Sequence, residues 1–169
     1  MMVVKYIIIF LVFVICFLLG NIISKRYTLR VKELKDFSNA LNIIENKIKF
    51  TYEPLSEIFI QTSRLLSENI SNIFINASNY MKRFSSEEAW NKSVEQSSTY
   101  LNKEDIENIK SFGKLIGKTD KEGQVSHIEL TRTFIQLQLE KARKEEEKNA
   151  KMYKTLGAII GLAIVIILI

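Results

Sequence analysis

Two blocks at the ends of the chain are apolar on every helical face, and the stretch between them mixes apolar and polar positions at helical spacing. Tyr6 to Leu19 is an unbroken apolar run, and continuing through Gly20 and Asn21 to Ile23 gives 18 residues. As a helix this is about 27 Å long, close to a bilayer core. Leu156 to Ile169 supplies 14 apolar residues, about 21 Å. Counting from Met152, with the Lys154 ammonium drawn back toward the headgroups, restores about 27 Å. A cleaved signal peptide competes for the first block, but no small-x-small site follows it and Gly20-Asn21-Ile22-Ile23 continues apolar. A core or interfacial helix competes for the second, and a run apolar on all faces favours a span.

Between the blocks the pattern predicts helices. Leu34, Phe37, Leu41, Ile44 and Ile48 are spaced 3, 4, 3 and 4 apart, so Val31 to Ile48 reads as an amphipathic helix. Thr51-Tyr52-Glu53-Pro54 breaks it, with Pro54 in the first turn of a helix carrying Leu55, Ile58, Phe59, Leu65 and Leu66. A third helix spans Ser71 to Arg83, with Ile73, Phe74, Ala77, Tyr80, Met81 and Phe84 on its apolar side and edge. Ser85 or Ser86 caps a fourth containing Ala89, Trp90 and Val94. Trp90 reads as a large buried side chain whose indole N–H needs a partner.

Asn102-Lys103-Glu104-Asp105 caps a helix carrying Ile106, Ile109, Phe112, Leu115 and Ile116, with Asp at the third helical position and Gly117 placed to end it. Thr119-Asp120-Lys121-Glu122 fits a capping box and opens a last helix with no later proline. Along it Val125, Ile128, Ile135, Leu139 and Ala142 give way to a charged tract. There Glu140/Lys144, Lys141/Glu145, Arg143/Glu147 and Glu147/Lys151 stand four apart, each pair supporting an exposed helix by about 0.2–0.5 kcal/mol. The expected architecture is all-α: an anchor over 1–23, a cytoplasmic helical bundle over 24–151, and a second anchor over 152–169.

Charge fixes the orientation of this plan. The 169 residues carry a formal net charge of +5, but Lys25, Arg26, Arg30, Lys32 and Lys35 follow the first block, and Lys141, Arg143, Lys144, Lys148, Lys151 and Lys154 precede the second. The positive-inside rule then puts the middle in the cytoplasm and both termini across the membrane. Membrane-flanking charge, with no zinc spacing, glycine-rich RNA-binding loop or basic-aromatic repeat, argues against nucleic acid as a partner.

Chemistry-bearing groups are sparse. His127 is the sole histidine and Cys16 lies in the first apolar block, so neither a Cys-His pair nor a multi-histidine metal site is expected. Lys114 follows Gly113 without the GxxxxGK[ST] pattern, and Gly113 and Gly117 read as a close contact and a stop. Glu87, Glu88, Glu104 and Asp105 offer carboxylates but no recognisable pocket. Gly157 and Gly161, four apart in the second block, suit packing against another transmembrane helix. No catalytic residue, metal or cofactor is expected, and the chain is read as a non-enzyme.

LLGNIISKRYTLRVKELKDFSNALNIIENKI, PLSEIF, the Ala89-Trp90 pair, LNKEDIENIKSFGKLIGKTDKEGQ and NAKMYKTLGAIIGLAIVIILI together resemble the stage III sporulation protein AB family of endospore-forming bacteria. The resemblance implies a membrane component of the channel or secretion-like apparatus joining mother cell and forespore, sited in the mother-cell membrane. It implies a cytoplasmic domain similar to the F-type platform domain of type II secretion and type IV pilus systems. As partners it implies the secretion-type ATPase, stage III sporulation protein AA, and other membrane channel components, and it admits a homo-oligomer. The alternative is a membrane-bound regulatory adaptor without ATPase coupling.

The resemblance transfers Arg30, Glu33, Leu34, Pro54, Leu55, Trp90, Glu104, Asp105, Phe112, Gly113, Leu115, Gly117, Asp120, Gln124, Asn149, Lys151, Met152, Tyr153, Leu156 and Gly157 as structural or partner-binding positions. Before Pro54 the chain departs from the family pattern: Lys47-Ile48-Lys49-Phe50-Thr51-Tyr52 stands where an acidic residue, Ile and a Tyr-Gly turn are usual.

Overall fold

A computed structural model describes residues 2–168 of the chain; Ile169, the last residue of the expected second span, lies outside them. The described residues are helical apart from turns and loops: α1 Met2–Phe50, α2 Leu55–Ser63, α3 Glu68–Tyr80, α4 Ser86–Glu95, α5 Lys103–Phe112, α6 Lys121–Glu145, a π turn Glu146–Ala150, and α7 Lys151–Leu168. They form two compact units, one of residues 32–140 and one pairing 1–31 with 141–169.

The core of the 32–140 unit is an aromatic cluster to which each of five helices gives one ring. Phe37 of α1, Phe59 of α2, Phe74 of α3, Trp90 of α4 and Phe112 of α5 are all fully buried. Trp90 is the hub, with centroids 4.9 Å from Phe112, 5.2 Å from Phe74, 5.6 Å from Phe59 and 6.1 Å from Phe37. These separations are those of favourable tilted and edge-to-face pairs. Its indole N–H donates to the Ile109 carbonyl at 2.7 Å, supplying the partner that burial requires. The predicted seam of Leu34, Phe37, Leu41, Ile44 and Ile48 is buried in full, and α6 adds Ile128 and Ile135.

Local signals place the helix starts. Ser85 caps α4 with a reciprocal bond to Glu88, and Asn102 caps α5 with Asp105 returning the bond. Elsewhere the boundaries move. The first apolar block and the amphipathic helix are one continuous α1. Pro54 sits just before α2. That helix stops at Ser63, which leaves Leu65 exposed. α3 begins at Glu68 after Ser67, a turn earlier than Ser71, and so gains the fully buried Ile70.

The end of α5 also differs from expectation. The helix stops at Phe112, and Gly113 N–H and Lys114 N–H bond back to Lys110 and Ser111 in tightened turns. His127 Nε2 lies 3.0 Å from the Ser111 carbonyl and 3.2 Å from that of Phe112, so the sole histidine satisfies the orphan acceptors at this helix end. With the helix ended, Leu115 leaves the apolar face and is exposed.

Gly113 admits Trp90: a Cβ there would meet the indole Cδ1 at 2.5 Å. Gly117 has φ +76, where a Cβ costs about 1–2 kcal/mol, and a Cβ would also meet Ser86 Oγ at 2.9 Å. Gly117→Ala should therefore lower stability by at least about 1–2 kcal/mol, read from thermal unfolding followed by fluorescence of Trp90, the only tryptophan. An unchanged midpoint would show that the turn does not need this backbone conformation.

α6 opens on Asp120, whose carboxylate accepts the Gly123 N–H at 3.0 Å; the expected Thr119/Glu122 box is replaced by a cap one residue later. Gln124 braces this start. Its amide N–H donates to the Thr119 carbonyl and its oxygen accepts the Gly117 N–H, tying the turn to the helix that follows.

In the second unit the two apolar helices pair with near backbone contact. A Cβ on Gly157 would lie 2.9 Å from both the Cys16 carbonyl oxygen and the Gly20 Cα; one on Gly20 would lie 2.7 Å from the Tyr153 carbonyl oxygen. Gly161 faces Phe13 and Cys16. Tyr27 stacks on Tyr153 at 5.9 Å, and Arg30 donates to Glu145 at 2.6 Å. The π turn reconciles these contacts. Glu145 and Tyr153 are eight residues apart, about 80° out of phase in a uniform α-helix, and the wider turn between them takes up about one residue. The same turn alters the four-residue spacing behind the expected Glu147/Lys151 pair.

Candidate partner-binding surface

Most polar positions transferred by resemblance hold the fold together. Glu33 is buried beside the core and accepts from the Asn69 amide at 2.6 Å and the Tyr100 backbone N–H at 2.7 Å, so it joins three distant parts of the 32–140 unit. Asp105 is fully buried in its capping box, while Glu104 is exposed on the first turn of α5. Trp90, Phe112, Gly113, Gly117, Asp120 and Gln124 have the packing, turn and cap roles described above. Tyr153, Gly157 and Gly161 belong to the pairing of α1 with α7, Arg30 of α1 binds Glu145 at the end of α6, and Lys151 is exposed on α7.

Burial pushes the Glu33 carboxyl above its ordinary value of 4.5, with Asp36 and Asp105 adding to the rise and the two hydrogen bonds opposing it. Glu45 moves the other way, held below 4.5 by the Lys49 ammonium and by Arg132. The signs give separate windows. Stability linked to Glu33 is full below pH 4.5 and is lost as pH rises through its higher folded value. Stability linked to Glu45 is present above pH 4.5 and is lost as pH falls through its lower folded value. Unfolding midpoints across pH should therefore lose slope above 4.5 in Glu33→Gln and below 4.5 in Glu45→Gln. The reverse assignment would contradict the two environments.

One surface open to a partner is built where α1 ends, α2 and α4 begin and α6 begins. A cleft of about 350 Å³ there is lined by Ile48, Tyr52, Leu55, Ser86, Lys121 and Gln124 among others. Its lining is aromatic and charged, with Tyr52 96% exposed and the Lys121 ammonium 4.3 Å over its ring beside Glu53; Phe50, two residues before Tyr52 in the chain, is 80% exposed. Three transferred positions, Leu55, Gly117 and Gln124, line the cleft, and Pro54 precedes Leu55 in the chain. A shallower hollow of about 440 Å³, with Lys49, Val125 and Glu129 on its walls, continues along the start of α6.

Beyond the hollow α6 exposes Leu130, Phe134 and Leu137, four and three apart. The apolar set expected on this helix leaves out all three, although their spacing marks a second stripe beside the buried Ile128, Thr131, Ile135 and Gln138. Among the described residues no group of three or more His, Cys, Asp or Glu is arranged to hold a metal ion. The surface offers exposed apolar and aromatic anchors suited to another protein.

The family model for stage III sporulation protein AB matches residues 5–169. Stage III sporulation protein AB of Bacillus subtilis (strain 168) is 29% identical over 153 residues, 88% of this chain and 90% of that protein. A solved structure of a stage III sporulation protein AB aligns with a TM-score of 0.64 at 25% identity, covering 70% of this chain and 96% of that one.

Proposed function

We propose that this chain, which belongs to the stage III sporulation protein AB family, is a noncatalytic membrane platform of the apparatus joining mother cell and forespore, coupled to that apparatus's cytoplasmic ATPase. α1 and the α6–α7 segment are long and apolar enough to cross a membrane, and their most apolar stretches leave most of their surface uncovered. We read them as two spans of the mother-cell membrane, with the 32–140 unit in the cytoplasm and both termini on the far side. The observation that carries the scaffold reading is the engagement of the chemistry-bearing groups. Glu33, Asp105, Asp120, Gln124 and His127 each hold a cap, a turn or an interhelical bond.

The ATPase, stage III sporulation protein AA, meets the surface formed by Phe50, Tyr52, Leu130, Phe134 and Leu137 on this reading. Full-length protein in reconstituted membranes should retain the purified ATPase on sedimentation. Tyr52→Ala combined with Phe134→Asp should weaken retention about tenfold or more, with Trp90 fluorescence showing the core intact, since exposed anchors of this kind carry most of an interface's free energy. Undiminished retention would move the contact elsewhere. Absence of retention by the unaltered protein would favour a regulatory adaptor without ATPase coupling.

A further inference from the structure

The positive charge of the chain is divided unevenly between its two units. Residues 32–140 hold 14 Lys/Arg against 16 Asp/Glu, whereas the remaining residues hold 10 against 3. No acidic residue precedes Glu33 in the chain and none follows Glu147. Half of the ten cations stand at one level of the paired helices. The Gly20 contact with Tyr153 and Gly157 marks one edge of that level, and the Arg30–Glu145 ion pair marks the other. Ten residues of α1 separate the edges, about 15 Å of helix.

Lys25 and Arg26 on α1 and Lys148, Lys151 and Lys154 on the returning segment lie between these edges, and all five are exposed. The stacked Tyr27 and Tyr153 sit among them. Tyrosine prefers the headgroup level of a bilayer, and long cationic side chains next to apolar helices extend toward phosphate. The acids of this level, Glu145, Glu146 and Glu147, are confined to its outer edge, and Glu145 is engaged by Arg30.

We propose that this five-cation belt is a binding surface for the headgroups of anionic phospholipids. It recruits them in preference to zwitterionic lipid around the paired helices. The inference rests on the reading of α1 and α7 as membrane spans, and it adds a lipid selectivity that orientation by positive charge does not require. Charge complementarity carries it: five exposed cations from both helices stand around an interfacial aromatic pair, with the carboxylates of Glu145 to Glu147 at the outer edge only.

The full chain in mixed bilayers, probed by electron spin resonance with spin-labelled phosphatidylglycerol and phosphatidylcholine, tests this directly. The motionally restricted fraction should favour phosphatidylglycerol about threefold or more at low salt and approach parity in 1 M NaCl, where screening is nearly complete beyond about 3 Å. Lys25→Gln, Arg26→Gln, Lys148→Gln, Lys151→Gln and Lys154→Gln together should remove the preference. Lys103→Gln with Lys114→Gln, on the other unit, should leave it unchanged. Equal association of the two lipids with the unaltered, carbonate-resistant protein would overturn the belt while leaving the spans in place. Extraction of the protein by carbonate would overturn the membrane reading and the belt together. A preference surviving all five substitutions, with loss of an acidic protein from native membranes instead, would assign the cations to that protein.

Discussion

Trp90→Ala should be the most damaging single substitution in the 32–140 unit. The indole is fully buried and stands within 6.1 Å, centroid to centroid, of rings from α1, α2, α3 and α5. Removing a buried tryptophan costs about 3–5 kcal/mol, a large share of the about 5–15 kcal/mol that holds a typical domain together. It would also leave the Ile109 carbonyl without its donor. Hydrogen exchange on the full-length protein in micelles should show protection lost together in α2 to α5, because all four helices converge on the one ring. Trp90→Phe retains an aromatic ring but not the N–H, and should cost less. Unchanged exchange in Trp90→Ala would show that the cluster is not the core.

Gly157→Leu should have the largest effect in the second unit. Its Cβ would fall 2.9 Å from both the Cys16 carbonyl oxygen and the Gly20 Cα, where the obstacle is backbone and cannot rotate aside. The helices must separate, and overpacking of this kind costs about 1–3 kcal/mol, roughly tenfold in the population of the closed pair. The pairing can be read with the native thiol. A Cβ at Gly161 lies 3.4 Å from Cys16 Cβ, near the range a disulfide spans, so Gly161→Cys should oxidise readily to an intramolecular bridge with Cys16. Adding Gly157→Leu should slow that reaction about tenfold. Equal rates would mean that the helices do not meet at Gly20 and Gly157.

Signals contained within a few residues were legible in the sequence. The α1 seam from Leu34 to Ile48 and the Ser85 and Asn102 caps each follow from spacing, whereas Gly117, expected to end α5, sits at φ +76 in the turn that follows the helix end at Phe112. What escaped reading depends on partners far along the chain. Gly20 is an isolated glycine in an apolar run, and its role appears only when Gly157, 137 positions later, is packed against it. Glu33 looks like an ordinary polar flank of the seam until Asn69 and Tyr100 are brought to it. Thr119 and Asp120 are adjacent cap candidates, and the structure uses Asp120, the stronger N-cap, with Gln124 bonded to the Thr119 carbonyl. The π turn has no residue signature; it arises from the need to keep Glu145 and Tyr153 on one face. Leu130, Phe134 and Leu137 did carry a signal, a second helical stripe at 4 and 3, masked by the stronger buried stripe beside it.

The central claim is a helical unit held at the cytoplasmic face by two spans, and cysteine accessibility tests it most directly. In a Cys16→Ser background, Ser98→Cys lies on an exposed position of the 32–140 unit. A membrane-impermeant maleimide applied to intact cells should leave it unlabelled until the membrane is opened, whereas a cysteine appended after Ile169 should label at once. Immediate labelling at position 98, with the appended cysteine protected, would contradict the account.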